Sequence, residues 1–419
     1  MSFLQSRIRT LRAMLAASAL VLAAGGCGGG SSTATSSPGP APGPPSGDNV
    51  VPVIVDAGPS GAVGVVNAPY VSVTVCAPGT TNCQTIDHIT VDTGSSGLRI
   101  ISSVLSPTLS AALTQVMDSQ SRPLVECTQF ADGYSWGPIK SVDVKIGGET
   151  ASSVPIQVIG DSSFAVVPSD CSSTGGQQED TVAQFGGNGI LGIEVFKQDC
   201  GPGCAAGVVS PALYYACPVG GCVPTAAALT SQAANPVFLF PTDNNGTILE
   251  LPAVGASGAA TLSGSLLFGI DTESNNTLGT ATVVAVDPGN GNISVTFNTQ
   301  TLADSFIDSG SNAYFFPDGS TTVCSGAVAN GFYCPTSTQS LTATVTSSTG
   351  VTNSVSFSVA NADSLFNGNP TFRAFSNLAG TDSTGGGFDF GLPFFMGRHV
   401  FTAIEGQSTS AGNGPYMAY

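Results

Sequence analysis

Histidine is almost missing from this chain of 419 residues: His88 and His399 are the only two. That scarcity excludes a His-rich metal site, and no HExxH helix motif occurs. Each histidine reads as a surface or packing residue, and no Ser-His-Asp arrangement is evident around either. Charge is also scarce, at 9% of residues, and Trp136 is the one tryptophan. Of the ten Lys and Arg residues, Arg7, Arg9 and Arg12 fall near the N-terminus, which leaves seven bases against 27 acids. Such an acidic surface argues against nucleic acid or anionic headgroups as partners. A fold that leans so little on ion pairs has few paired carboxylates to lose on protonation, which favours acid tolerance. No glycine-rich loop leads from a strand into a helix, so no nucleotide and no other cofactor is expected.

No apolar run is long enough to cross a bilayer. The longest near the start, Ala13 to Ala24, follows three arginines and ends in small residues, the pattern of an export signal. "LAAGGCGGGSS" then reads as a bacterial lipobox, with Cys27 the lipid-carrying first residue of the mature protein; simple cleavage nearby is the other reading. Residues 1–27 are therefore assigned to the signal and 28–50 to a Gly/Ser/Pro tether without periodicity, expected to be disordered. The remaining chain is long enough for two lobes, placed at 51–240 and 241–419. Gly28 follows Cys27 where an Asp would mark inner-membrane retention, so the expected location is the cell envelope, on the outer membrane.

Ten cysteines remain besides Cys27, an even number in an exported chain, and disulfides are expected. Cys76 and Cys83 flank a short turn, and Cys324 with Cys334 forms a second local pair. Cys200, Cys204, Cys217 and Cys222 allow three connectivities; nesting, 200 with 222 and 204 with 217, suits an excursion closed at its base. Cys127 and Cys171 are then left for each other. The rival for the 200–222 cluster is zinc, but its spacing is wrong for a ribbon.

The rest is short alternating or β-branched runs, "YVSVTVC", "SVDVKIGG", "VPIQVIG" and "SVSFSVA" among them, broken by Gly, Asn, Asp or Pro. Helical periodicity is sparse, with Pro107 to Asp118 the best candidate. The expected class is all-β, without βαβ alternation.

Two of these runs stop on an acid. "ITVDTGSSGLRI" and "SFIDSGSNAYFF" carry Asp92 and Asp308, the only Asp residues followed by Thr or Ser and then Gly. A strand delivers each carboxylate to a tight turn, the glycine permits close approach, and the following hydroxyls bond the carboxylate. An Asx-turn explains one such loop. Two in matching frames suggest a duplicated unit whose carboxylates meet, share a proton and titrate as a pair.

With these loops the chain resembles the pepsin-type, two-lobed aspartic proteases. "FGGNGILGI", "GSLLFGID", "FDFGLPFFMGRHVFTAIE" and "VDVKIGG" resemble further elements of that family, in its order. The resemblance implies a bilobal all-β fold with a central cleft and pseudo-two-fold lobes. It implies Asp92 and Asp308 as the catalytic dyad, with Thr93, Gly94, Ser95, Ser309, Gly310 and Ser311 as loop support. It places the flap over the cleft at Phe130, Asp132, Gly133, Tyr134 and Trp136. The implied activity is endopeptidase cleavage of extended peptides, by a monomer needing no metal, with the membrane engaged only through the lipid. A bacterial group of uncharacterised exported proteins carrying these loops is also similar.

The chain departs from the family at several places. Arg99 stands where a Trp usually supports a flap Tyr, and counting back from "VDVKIGG" puts Phe130 at the Tyr position, so both partners of that contact change together. Tyr134 or Trp136 takes over if the register differs; otherwise all three pack the hairpin. Asn312 replaces a Ser or Thr, Leu392 replaces an acid, and Asp389 interrupts an apolar pair. No basic prosegment follows the tether. The alternative function is a non-catalytic binding lipoprotein that holds a peptide, glycan or partner protein in the same cleft.

Overall fold

The structure is a computed structural model that describes residues 46–419 except 132, 174–175, 327 and 383–385. Cys27, expected to carry the lipid, the expected leader and most of the expected tether lie outside the described residues, as does Asp132.

The chain is all-β and two-lobed. Its first hairpin shows how the alternating pattern folds: in Pro69–Cys76 the β-branched residues Val71, Val73 and Val75 point inward, and Ser72 stays exposed. The strand pairs antiparallel with Cys83–Asp92, and the Cys76–Cys83 disulfide staples the turn end. The long partner strand emerges buried at its far end, where Ile89, Val91 and Asp92 enter the middle of the molecule.

Each half then repeats one motif. In the first, Gly189–Ile193 lies between two strands, parallel to Cys83–Asp92 and antiparallel to Ser96–Ile101. In the second, Asp389–Phe390 lies parallel to Gln300–Ile307 and antiparallel to Tyr314–Phe316. The registers agree: Ile190 pairs with Thr90 and Arg99, while Asp389 pairs with Phe306 and Phe315. Asp92 and Asp308 therefore occupy equivalent places at the ends of equivalent strands. Duplication is written in the hydrogen-bond ladder itself.

The halves are not joined by a linker alone. Val50–Val55 pairs with Leu262–Phe268, which pairs in turn with Gly246–Leu251, and that strand with Arg398–Ala403. The first strand of the described residues thus joins strands from beyond residue 245, so one sheet ties the two ends of the described chain together. One continuous apolar core, from Val51 to Met417, runs beneath both Asp loops.

Two expectations need correction. The helix expected from Pro107 to Asp118 ends at Ala112; Ser106 caps its start, but Leu113 is already extended and Thr114–Gln115 pairs with Lys140 and Ser141. Sheet pairing outcompetes one more helical turn of modest propensity. The four clustered cysteines are not nested: Cys200 bonds Cys204 and Cys217 bonds Cys222, so each bridge closes its own tight loop. The expected Cys127–Cys171 and Cys324–Cys334 bridges are present.

Candidate active site

The first Asp loop is fixed by its own backbone and hydroxyls. Asp92 is buried; its Oδ1 accepts the Gly94 amide at 2.7 Å, and its Oδ2 accepts the Ser95 hydroxyl in a short bond. The second loop matches it, with Asp308 Oδ1 accepting from Gly310 N at 2.7 Å and Oδ2 from Ser311 Oγ at 2.9 Å.

Thr93 and Ser309 lock the loops to each other. The Thr93 hydroxyl accepts the Ser309 amide at 3.0 Å and donates to the Ile307 carbonyl at 3.2 Å. Ser309 Oγ accepts the Thr93 amide at 3.1 Å and donates to the Val91 carbonyl at 2.8 Å. Each hydroxyl thus satisfies two backbone groups of the opposite loop.

This lock brings the carboxyls of Asp92 and Asp308 into hydrogen-bonding contact. Only glycine leaves room for it. A Cβ on Gly94 would stand 2.4 Å from Asp308 Cγ, and one on Gly310 would stand 2.6 Å from Asp92 Oδ1. Burial pushes the Asp308 carboxyl well above the usual Asp range, the negative charges of Asp92 and Asp389 push it further, and the hydrogen bond with Asp92 adds to this. The Gly310 amide opposes them. Asp308 therefore holds its proton at pH values where an ordinary Asp carboxyl has lost it.

The dyad forms the floor of a cleft between the lobes. Phe130, Phe185, Ile190, Phe306 and Phe315 supply apolar walls, and Gly201 to Gly203, inside the Cys200–Cys204 loop, form a lip. The hairpin expected to form the flap joins Leu124–Gln129 to Gly133–Ile146, and the Phe130 amide donates to the Gly133 carbonyl at 2.8 Å across its tip. Phe130 faces the cleft and meets Phe185 edge-on at 5.7 Å. Gly133 is required for close approach, since a Cβ there would lie 2.4 Å from the Gln177 carbonyl.

Tyr134 and Trp136 do not line this cleft. Trp136 pairs with Cys127, meets Tyr215 edge-on at 5.2 Å and donates its indole N–H to the Phe164 carbonyl at 2.7 Å. Both aromatics belong to the packing cluster around the Cys127–Cys171 bridge, so neither replaces the flap Tyr. Side chains alternate along a strand, and the register sends the 134 and 136 positions away from the dyad.

Arg99 takes polar partners. Its buried guanidinium bonds Thr128 Oγ1 at 3.0 Å and Glu126 Oε1 at 2.7 Å, both on the flap strand, and Asp199 Oδ2 at 3.2 Å. Glu126, Thr128 and Asp199 are site residues that sequence reading missed. The available signal was chemical: a cation in a wholly buried strand demands counter-charges. Of the other departures, the Leu392 amide donates to Ser311 O at 2.7 Å, and the Asn312 carbonyl accepts from Asn67 at 2.8 Å. Asp389 is buried close enough to raise Asp308.

Neither histidine lines the cleft; His88 faces Asp56 at 3.3 Å and His399 faces Glu250 at 3.0 Å. Among the described residues, the one His/Cys/Asp/Glu group spaced to chelate an ion is Cys324, Cys334 and Asp363, and both sulfurs are in a disulfide.

Comparison with solved structures finds similarity to the crystal structure of an aspartic proteinase from Irpex lacteus, at 17% identity and a TM-score of 0.46, covering 88% of this chain and 96% of that one. No curated protein matches the sequence. A family model described as "Protein of unknown function (DUF3443)" matches residues 45–419, which spans both Asp loops, the flap and the cleft, and the chain belongs to that family.

Proposed function

We propose that this chain is an exported, lipid-anchored aspartic endopeptidase. The observation that carries the reading is the carboxyl contact between Asp92 and Asp308, made by two symmetric loops at the floor of an open cleft. Near-contact lets one proton serve two carboxyls, because like charges so close cannot both ionise; aspartic proteases work with such a pair.

The chemistry follows from that proton. Asp308, held protonated by burial and its neighbours, donates to the carbonyl oxygen of a bound peptide. Asp92 takes a proton from a water held between the carboxyls, and the resulting hydroxide adds to the carbonyl carbon. Collapse of the gem-diol breaks the C–N bond as a proton passes to the leaving amine. Loop amides hold the carboxylates throughout, so little reorganisation is needed. The substrate lies extended beneath the flap, with apolar side chains against Phe130, Phe185 and Ile190. Cys27 supplies the anchor, and the Gly/Ser/Pro tether holds the cleft away from the outer membrane.

The reading is tested by incubating the chain with a peptide library from about pH 3 to about pH 7, beside Asp92→Asn. Cleavage between apolar residues by the parent chain alone is the expected result. No cleavage at any pH, or equal cleavage by the variant, overturns it; binding without cleavage favours a non-catalytic cleft.

A further inference from the structure

Arg99 sits in Ser96–Ile101, a strand buried at all six positions, where an aliphatic residue would satisfy the sheet. A buried guanidinium survives only if its donors and its charge are both matched. Here the matching partners come from three separate places. Nη1 donates at 2.8 Å to the carbonyl of Ser96, the first residue of the same strand, where it leaves the loop that carries Asp92. Nε and Nη2 reach Thr128 and Glu126 on the flap strand. Nη2 also reaches Asp199, which adjoins the Cys200–Cys204 lip.

Each partner is itself held. Gln157, paired with Arg99 across the sheet, donates to the Glu126 carbonyl at 3.0 Å and accepts from Ser135 at 2.8 Å, so both flap strands are fastened. Tyr214 donates to Asp199 Oδ1 at 2.7 Å and accepts the Ala233 amide at 2.8 Å. Arg99, Glu126, Asp199 and Tyr214 are the titratable groups that face one another here. One guanidinium meets two buried carboxyls, so one proton on the pair makes the cluster neutral.

We propose that Arg99 is a positioning residue for the dyad, a clamp that fixes the base of the flap and the Asp199 lip to the loop carrying Asp92. Phe130 lies two residues beyond Thr128, so the clamp sets the height of the flap tip above the carboxyls. The inference rests on the endopeptidase reading and extends it. It also gives Arg99 a role different from an aromatic prop: the contact is polar, charge-matched and spread over three elements.

The test uses the full chain with two conservative variants, Arg99→Lys, which keeps the charge but loses the planar fork, and Thr128→Val, which removes one flap acceptor. Two quantities are read: hydrogen exchange of the Phe130 amide relative to core amides, and kcat/KM for the best library peptide. The expected result is about tenfold faster exchange at Phe130 and about a tenfold lower kcat/KM in each variant, with core exchange unchanged. Unchanged Phe130 exchange in both variants overturns the clamp, as does an equal acceleration across core and flap. Absence of cleavage by the parent chain defeats the endopeptidase reading instead, and the exchange measurement still decides the clamp.

Discussion

Thr93→Val is the sharpest perturbation of the contact between the two Asp loops. Valine nearly matches threonine in shape, so the change removes a hydroxyl and leaves the buried volume in place. The Ser309 amide loses its acceptor at 3.0 Å, and the Ile307 carbonyl loses a donor at 3.2 Å. Thr93 and Ser309 are both buried, so water cannot take over either bond. An orphaned buried group costs about 1–3 kcal/mol, and two of them give an expected loss of roughly 2–6 kcal/mol. The reciprocal bonds made by Ser309 Oγ survive, which keeps the cost below complete separation of the loops. Thr93→Ser retains the hydroxyl and loses only a methyl, for about 1 kcal/mol. Equilibrium urea unfolding of the three proteins measures both shifts. Equal stability of the valine variant and the parent, or equal loss in valine and serine variants, would refute the interlock as a source of stability.

Two further outcomes follow from the same geometry. Gly94→Ala is expected to abolish peptide cleavage with little change in thermal stability, because its Cβ lands 2.4 Å from Asp308 Cγ at a surface-open cleft; retained activity in a cleavage assay contradicts the tight approach. Asp308 and Asp199 both have carboxyls raised by burial and by neighbouring negative charge, so their contribution to stability is full below the ordinary Asp range and is lost as pH rises through the folded values. Glu126, lowered against its own burial by the Arg99 charge and hydrogen bonds, acts oppositely, losing its contribution as pH falls. Because a lowered carboxyl is already ionised in both folded and unfolded states above the ordinary carboxyl range, only the raised ones respond from mildly acid to neutral pH, and the melting temperature is expected to decline there. Asp308→Asn should flatten that decline, and a parent protein that grows steadily more stable towards neutrality contradicts the assignment.

The parts of the site that were legible in the sequence are those whose requirements are local. An Asp at a strand end, a glycine that permits contact and a hydroxyl one residue away form a single loop, and its second copy disclosed the pairing. The Cys76–Cys83 and Cys324–Cys334 bridges were legible for the same reason, being short closures. Nesting of the 200–222 cysteines was not decidable, since spacing allows all three connectivities and the backbone between them chooses. The partners of Arg99 were hidden by distance along the chain: Glu126 lies 27 residues away and Asp199 lies 100. Whether Tyr134 and Trp136 cap the cleft or pack the hairpin turned on register alone: Thr128 pairs with Ser135, which turns Trp136 to the packed face. Asp389, read as an interruption of an apolar pair, proves to be a third carboxyl acting on Asp308, a role visible only once the ladder sets it beside Phe306 and Phe315.

The most direct measurement is the pH–rate profile of peptide cleavage for the parent chain, set beside Asp92→Asn and Asp308→Asn. A shared proton requires both carboxyls, so the parent should be most active in acid and lose activity as the pair's proton is lost, and each variant should fall by at least about a thousandfold. Cleavage by either Asn variant at the parental rate, or a parental profile indifferent to pH, would contradict a dyad built from Asp92 and Asp308.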